Sequence, residues 1–303
     1  MHRGVFVFVS VILFNYLFAQ KADKKLQRKI EAAVKGFKGD YGVYIKKLEK
    51  NKVVAINADS LFPTASIIKI PILIGVADKI QKGELQYHQE LTYKDSLLYE
   101  GVDILGSFKN NEKIELSKVM MLMITMSDNT ASLWLQSLAG TGIRINQILD
   151  SLGLVSTRVN SRTPGRELNR SVYGWGQTTP REIATLLERI YKGEIISPEA
   201  SERMQRLLKN VYWDSYALSQ LPPYVNVYAK YGAVDEVRSE VVLVNAPHGD
   251  IVFAIMTKNN KDTSWNYENE GWQLARKLTQ IIWQHYEPHS KWHPMKKDKN
   301  KWF

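Results

Sequence analysis

A serine and a lysine stand three residues apart in Phe62-Pro-Thr-Ala-Ser-Ile-Ile-Lys-Ile70, at the start of an apolar run that predicts a helix over 66–81. Three residues is nearly one helical turn, so Ser66 and Lys69 share a face of that helix. A serine hydroxyl must lose its proton as it attacks, and a lysine desolvated among apolar neighbours has a lowered pKa and can accept that proton. The pair therefore predicts a nucleophilic serine with a lysine base, although this short spacing also arises by chance.

Two further motifs follow this pair along the chain. Ser127-Asp128-Asn129 precedes an apolar helical pattern, and Lys230-Tyr231-Gly232 ends a strand-like run. Ser-x-x-Lys, Ser-Asp-Asn and Lys-Thr-Gly, in this order, are the motifs of class A β-lactamases and penicillin-binding proteins. Over residues 24–287 the chain resembles the class A branch of this serine enzyme superfamily, with a tyrosine in place of the threonine. Each motif is weakly specific alone, whereas the ordered set is specific.

The resemblance implies acyl transfer from a small-molecule β-lactam or a related acyl substrate, and it implies no cofactor. Ser66 would attack the carbonyl and become an ester, with Lys69 as the nearest candidate base. Whether that base is the lysine or a water-linked glutamate is disputed for the family. Ser127 would pass a proton to the leaving nitrogen, while Lys230 would polarise Ser127 and attract a substrate carboxylate.

Further residues are expected to bind the substrate. Asn129 would hold the side-chain amide of the substrate, and the backbone amides of Ser66 and Ala233 would form the oxyanion hole. Gly232 fits there because a side chain would crowd the cleft. Ser127 and Asn129 also suit a helix cap, and the two roles are compatible.

Tyr231 departs from the family pattern, in which a small residue helps to bind the substrate carboxylate through its hydroxyl. A tyrosine hydroxyl lies several ångströms further out. Arg238, on or near the next strand, could replace that contact with a bidentate guanidinium, or it could be a surface charge.

The segment between Asn160 and Thr179 departs further, because the family has there the glutamate that activates water to hydrolyse the ester. Gap-free alignments place Thr163 or Gly165 at that position, and neither is an acid. Glu167 is the sole carboxylate in the segment, and arginines stand at positions 162, 166 and 170. It is either a relocated base or a structural ion pair with one of those arginines. No aspartate is present for the Arg–Asp pair that usually holds this loop.

The elements that position these residues follow from the hydrophobic pattern. Strand-like runs near both ends enclose a largely helical middle, which predicts an α/β (α+β) fold: an antiparallel sheet flanked by helices, with an inserted all-helical domain. We assign the α/β part to residues 24–60 and 181–287 and the all-helical part to 61–180. Ser66, Ser127 and Lys230 would then meet in the cleft between the two parts.

The start of the chain predicts export. Residues 1–19 combine a short basic start, an apolar stretch and Ala19 before polar residues, which indicates a signal peptide cleaved after Ala19. An uncleaved anchor is the alternative, but the apolar core ends at Asn15 and is short for a membrane span. We therefore expect a soluble, periplasmic or secreted protein, and a monomer. With no cysteine, the chain has no disulfide and no lipid-bearing cysteine.

The net charge of +10 includes a basic tail over 288–303, which is either solvated or attracted to anionic envelope polymers. No basic patch interleaved with aromatics suggests nucleic acid. His285, His289 and His293 have helical metal-ligand spacing, but Pro288 and Pro294 break that helix, so we expect no metal.

Three functions compete. The leading hypothesis is an exported serine hydrolase of β-lactamase type, and the second is a penicillin-interacting D,D-peptidase-like protein or sensor with slow turnover. The third is a binding protein on a retired enzyme scaffold. The four polar residues that catalysis needs are all present, which argues against the third: Ser66, Lys69, Ser127 and Lys230.

Overall fold

The computed structural model describes residues 20–294, so the predicted signal peptide and the last nine residues of the basic tail lie outside the described range. The central sheet has six strands: β1 (Lys21–Ala22), β2 (Asp40–Lys47), β3 (Lys52–Ile56), β9 (Val227–Val234), β10 (Val237–Ala246) and β11 (Gly249–Lys258). Their order in the sheet is β1-β3-β2-β11-β10-β9. All neighbours pair antiparallel except β1 and β3, which pair parallel.

Nine α-helices are described in residues 20–294, and most of them separate β3 from β9. They are α1 (Lys24–Ala33), α2 (Lys69–Gln81), α3 (Leu116–Met121), α4 (Asn129–Leu138), α5 (Thr141–Ser151), α6 (Glu167–Tyr173), α7 (Pro180–Tyr191), α8 (Pro198–Lys209) and α9 (Glu270–Tyr286). Five short strands lie between the helices: β4 (Phe62–Pro63), β5 (Glu90–Thr92), β6 (Lys113–Glu115), β7 (Arg158–Val159) and β8 (Gly176–Thr178). They form two small sheets, one of β4, β8 and β7 and one of β5 and β6. The predicted fold class is confirmed; the domain limits at residues 60 and 181 stay a prediction.

The central sheet is buried on both faces, because successive apolar side chains on its strands point alternately into two different cores. On β10, Val241 and Leu243 join the core that contains α2, α4 and α7, whereas Val242 and Val244 join the core beneath α1 and α9. Side chains two apart on a strand share a face, so the run of valines and leucine serves both cores. None of the helices described in residues 20–294 is long and apolar enough to cross a membrane.

Strand pairing brings the two ends of the chain together. β2 pairs with β11 over its whole length, with Asp40 opposite Lys258 at one end and Lys47 opposite Ile251 at the other. The helical middle is therefore an insertion into one sheet, and β9 is left as the sheet's outer strand beside the turn that carries Ser66.

Candidate active site

Ser66 lies on a single 3₁₀ turn, Ala65–Ile68, that leads directly into α2. The turn is anchored by the fully buried side chains of Ile67 and Ile68, and Thr64 N donates to Gly176 O at 2.9 Å. Ala65 has a φ of +43°, which is unusual for a residue with a side chain. Such backbone strain clusters at functional sites, where the surroundings hold it in place.

The Lys69 amine joins the first two motifs. Its Nζ lies 3.0 Å from Ser66 Oγ and 3.1 Å from Ser127 Oγ. It also donates to Ser127 O at 2.6 Å and to Asn129 Oδ1 at 2.9 Å. Burial lowers the pKa of Lys69 well below its usual range, and the charge of Lys230 lowers it further. A lysine in this state is suited to accept the serine proton.

Ser127 lies at the end of a π-helical turn, Leu122–Met126, in the left-handed conformation with a φ of +62°. This conformation directs both its hydroxyl and its carbonyl towards Lys69. The buried Lys230 amine approaches the same hydroxyl from the third motif, at 3.0 Å. The Ser127 hydroxyl is therefore held within hydrogen-bond distance of two amines, which is close enough for proton transfer.

Asp128, and not Ser127 or Asn129, caps α4. One of its carboxylate oxygens accepts from Ala131 N at 2.7 Å, and the other accepts from Leu105 N at 3.0 Å. The side-chain oxygen of Asn129 instead accepts from the Lys69 amine, and the backbone N–H of Asn129 donates to Val102 O at 2.8 Å. The middle residue of the motif thus fixes the 98–105 loop along one wall of the cleft.

Lys230 and Tyr231 are residues of β9, and both lie beside Ser127. Burial lowers the pKa of Lys230 to about 7, with the carboxyl of Glu240 acting in the opposite sense. The Lys230 amine lies over the Tyr231 ring, 4.4 Å from its centroid. The side chain of Tyr231 turns back to Ser127 and does not extend away from the cleft; burial raises its pKa, and the interaction with Ser127 partly offsets this.

Gly232 packs directly on the nucleophile's turn. A methyl group at this position would lie closer to Thr64 O than a real side-chain carbon approaches a backbone atom, and it would lie only 3.0 Å from Ser66 N. Glycine therefore permits β9 to pass beside Ser66. Ala233 follows on this edge strand, which is the location that the predicted oxyanion hole requires.

The position of Arg238 does not agree with its predicted role as a ligand of the substrate carboxylate. Its side chain is buried, and its terminal nitrogens donate at 2.8 Å to the carbonyls of Asp235, Val237 and Ser264. The guanidinium also lies between the rings of Trp265 and Trp272, 4.5 and 4.8 Å from their centroids. Both terminal nitrogens are therefore occupied, and only the buried Nε has no hydrogen-bond partner, so the side chain is neither a free bidentate ligand for a carboxylate nor a surface charge.

Glu167 is exposed at the first turn of α6. Its Oε1 accepts from Gly165 N at 3.1 Å, and within the described chain no arginine side chain forms an ion pair with it. The alternative of an ion pair with Arg162, Arg166 or Arg170 is therefore wrong in this structure. The catalytic role of Glu167 stays a prediction.

A hydrogen-bond network with Arg166 at its centre, and with no carboxylate in it, holds the 160–179 segment. Arg166 donates to Asn160 Oδ1 at 3.0 Å and to Gln177 Oε1 at 2.9 Å, and Asn169 donates to the same Gln177 oxygen at 3.1 Å. This network joins α6 to β8, the strand that pairs with β4 just before the Ser66 turn. The segment is thus tied to the nucleophile without the usual Arg–Asp pair.

Sequence reasoning missed three residues beside Tyr231. Tyr216 and Trp213 pack on its ring, with centroids 5.5 and 6.1 Å away. Glu240 is directly opposite Tyr231 in the β9–β10 register, and it is buried. The hairpin register could have revealed Glu240, whereas the irregular segment that carries the two aromatic residues has no periodic pattern.

The arrangement brings Ser66, Lys69, Ser127 and Lys230 into one chain of contacts. A proton leaving Ser66 can pass to Lys69 and reach Ser127, which makes nucleophilic attack and leaving-group protonation possible in one cleft. Within residues 20–294, no cluster of three or more histidine, aspartate or glutamate side chains is arranged to bind a metal. The roles assigned to the individual side chains stay predictions.

Comparisons with known proteins identify the family of the chain. The model of the β-lactamase enzyme family matches residues 25–286. The β-lactamase VEB-1 of Pseudomonas aeruginosa is 24% identical over 298 residues, which cover 94% of this chain and 98% of that protein. The β-lactamase BRO-1 of Moraxella catarrhalis is 24% identical over 231 residues, which cover 73% of this chain and 72% of that protein.

Solved structures show the same fold. PBP-A is 27% identical, with a TM-score of 0.78 over 89% of this chain and 98% of that chain. The class A β-lactamase of Mycobacterium abscessus is 20% identical, with a TM-score of 0.76 over 86% of this chain and 99% of that chain, which shows the fold alone. By its family match the chain belongs to the β-lactamase enzyme family, and its fold is that of class A β-lactamases.

Proposed function

We propose that this protein opens β-lactam rings through an acyl-enzyme on Ser66. The observation that carries the proposal is the position of the Lys69 amine, within 3.1 Å of both the Ser66 and the Ser127 hydroxyls. Attack by Ser66 forms the ester as the carbonyl–nitrogen bond of the ring breaks. The Ser66 proton moves to Lys69 and from there, through Ser127, to the departing nitrogen.

Mass spectrometry of the intact protein after prolonged incubation with penicillin G tests this proposal. We expect one covalent adduct in wild type and none in Ser66→Ala. Ser60→Ala is the matched control, because Ser60 is an exposed serine shortly before the motif, and it should label as wild type does. Labelling that persists in Ser66→Ala would overturn the assignment of the nucleophile.

Slow turnover is a second candidate, and the position of Glu167 favours it. Hydrolysis of the ester needs a base that reaches a water beside the carbonyl. The sole carboxylate of the 160–179 segment is exposed and bonded to its own loop, through Gly165 N. PBP-A supports this candidate too, since one solved variant is an acyl-enzyme complex with penicillin G. A burst of chromogenic β-lactam followed by a slow steady rate would identify a penicillin-interacting protein of this kind.

Export is part of the proposal and rests on the sequence of residues 1–19. Secretion of the whole chain from a bacterial host, followed by sequencing of the mature N-terminus, tests it. We expect the mature chain to begin at Gln20. A product that retains Met1 in the cytoplasm would contradict both the signal and the periplasmic or secreted location.

A further inference from the structure

The cleft has a leaving-group side, which we define by Lys230, Tyr231, Tyr216 and Glu240. In the proposed reaction the nitrogen of the cleaved bond departs on this side, because Ser127 would donate the proton to it and Lys230 lies 3.0 Å from the Ser127 hydroxyl. Lys230 is fully buried, and the Tyr231 ring covers its amine at 4.4 Å. The positive charge of this lysine therefore faces an aromatic ring and Ser127 rather than open solvent.

Two arginines near this side, Arg276 and Arg238, already donate hydrogen bonds to backbone carbonyls. Arg276 donates to the Tyr267 carbonyl and lies 3.8 Å from the centroid of the Tyr267 ring. Arg238 donates to three carbonyls and lies between two tryptophan rings. A guanidinium binds a carboxylate tightly through two parallel donors, and here both terminal nitrogens of each arginine already donate to backbone carbonyls.

A buried carboxyl lies on the same side. Glu240 pairs with Tyr231 across the two strands, and its Oε2 accepts from Ala217 N at 2.8 Å. The Ala217 N–H is therefore already used and is not free for a substrate carboxylate. Burial lowers the pKa of Lys230, and the carboxyl of Glu240 raises it by a smaller amount.

We infer that the leaving-group side selects acyl donors that carry no anionic group next to the departing nitrogen. An uncharged group there lies against the rings of Tyr231 and Tyr216, whereas a carboxylate would have to displace the Tyr231 ring to reach Lys230. The inference rests on the proposed acylation of Ser66 and names its substrate class: neutral cyclic amides and related neutral acyl donors. Tyr231 is the residue that sets this preference.

A matched pair of ligands tests it: penicillin G, with its free carboxylate, and penicillin G methyl ester. The rate of adduct formation on Ser66 is followed by intact mass for each, and the ratio of ester to free acid is compared between proteins. We expect wild type to react faster with the ester. In Tyr231→Thr, which uncovers the Lys230 amine, the ratio should fall by about tenfold or more, as expected for gaining one hydrogen bond to a charged group.

Two variants control for the loss of a large side chain. Tyr231→Phe keeps the ring over Lys230 and should keep the preference for the ester. Tyr224→Thr makes the same replacement at an exposed tyrosine shortly before β9, and its ratio should equal that of wild type.

The possible outcomes separate this inference from the proposed function. Free penicillin reacting as fast as the ester in wild type would overturn the inference while leaving acylation of Ser66 intact, and this measurement needs no variant. A ratio that Tyr231→Thr leaves unchanged would overturn the role of Tyr231. If neither ligand modifies Ser66 in any of the proteins, the proposed function fails and the inference fails with it.

Discussion

The amine of Lys69 has more oxygen neighbours than it has protons to donate when neutral. The Ser127 carbonyl and the Asn129 side-chain oxygen can only accept, so a neutral amine gives its two N–H bonds to them. The lone pair of the amine is then free to accept a hydrogen bond from a hydroxyl, and Ser66 Oγ lies 3.0 Å from Lys69 Nζ. The surroundings of Lys69 therefore fix the direction of the base as well as its pKa.

Replacing Lys69 by alanine should lower the rate of acylation by roughly 10²–10⁴, the usual effect of losing a general base. Because burial lowers the pKa of Lys69, acylation should also rise with pH as this amine loses its proton. Stopped-flow measurement of adduct formation over a pH series checks both expectations. Lys82→Ala is the control, since Lys82 directly follows the same helix and pairs with Asp78 outside the cleft. A near-native rate in Lys69→Ala would show that another group is the base.

The sequence predicts the polar residues of the site better than their surroundings. Ser66 and Lys69 are local partners, and the motif order joins them to Ser127 and Lys230. Arg238 was misassigned, because the Ser264 carbonyl and the two tryptophan rings that hold its guanidinium all come from the chain after β11. Such contacts depend on tertiary packing, which a motif does not encode.

At the level of elements, α6 and its flanking loop are organised by Arg166 rather than by Glu167. The guanidinium of Arg166 joins Asn160 to Gln177, whereas Glu167 bonds only the loop beside it. The hydrophobic pattern does not predict this helix, because two of its apolar residues, Leu168 and Val172, are 85% and 67% exposed. Periodicity identifies helices that bury an apolar face, and this one does not.

Glu167→Gln should change the rate of ester hydrolysis little, because an exposed carboxylate bonded to its own loop is not held against the ester. Single-turnover decay of the acyl-enzyme, measured by intact mass, gives this rate directly. Glu199→Gln is the matched control, an exposed first-turn glutamate on α8. Accumulation of acyl-enzyme in Glu167→Gln alone would instead identify Glu167 as the relocated base.

The cap of α4 is a second element-level feature with a measurable effect. Asp128 is fully buried and satisfies backbone N–H groups of both α4 and the 98–105 loop. Asp128→Ala should lower the free energy of unfolding by about 3 kcal/mol, since it removes a cap and leaves buried donors unpaired. Urea denaturation measures this. Asp128→Asn keeps an acceptor for Ala131 N and should lose less, so equal losses would contradict the capping role.

For the whole molecule, the buried ionisable groups of the cleft connect stability to pH. Burial raises the pKa of Glu240 to about 8, from an ordinary value of 4.5. Between these values the folded protein keeps this proton while the unfolded chain has released it, so this group makes the free energy of unfolding fall as pH rises. The lowered pKa values of Lys69 and Lys230 act in the opposite sense above their folded-state values, where only the unfolded chain holds those protons.

Glu240→Gln should therefore gain stability relative to wild type as pH rises from 5 to 8, by at most about 1.4 kcal/mol per pH unit. Glutamine preserves an acceptor for Ala217 N, so the change isolates the charge. Urea unfolding of both proteins at the two ends of this range measures the difference. Glu90→Gln, at an exposed position, should track wild type throughout. A constant offset between Glu240→Gln and wild type would show that Glu240 titrates normally.

The overall architecture is predictable from the sequence because its long elements have strong periodicity: strands near both ends and amphipathic or buried helices between them. The structure adds the short strands β4, β7 and β8, each two or three residues long, which give no periodic signal. These strands hold the Ser66 turn beside the 160–179 segment. Pairings that short are specified by the surrounding fold and not by their own residues.

The pairing of β2 with β11 also affects how the protein is made. β2 ends at Lys47, but its partner begins only at Gly249. At ordinary rates of synthesis the ribosome needs roughly 10 to 40 s to cover that interval. During this time β2 has one open edge and an apolar face with no partner, which is a condition that favours aggregation. Changes that make β2 more hydrophobic should therefore lower the yield of protein in cells even where they leave the finished fold as stable as before.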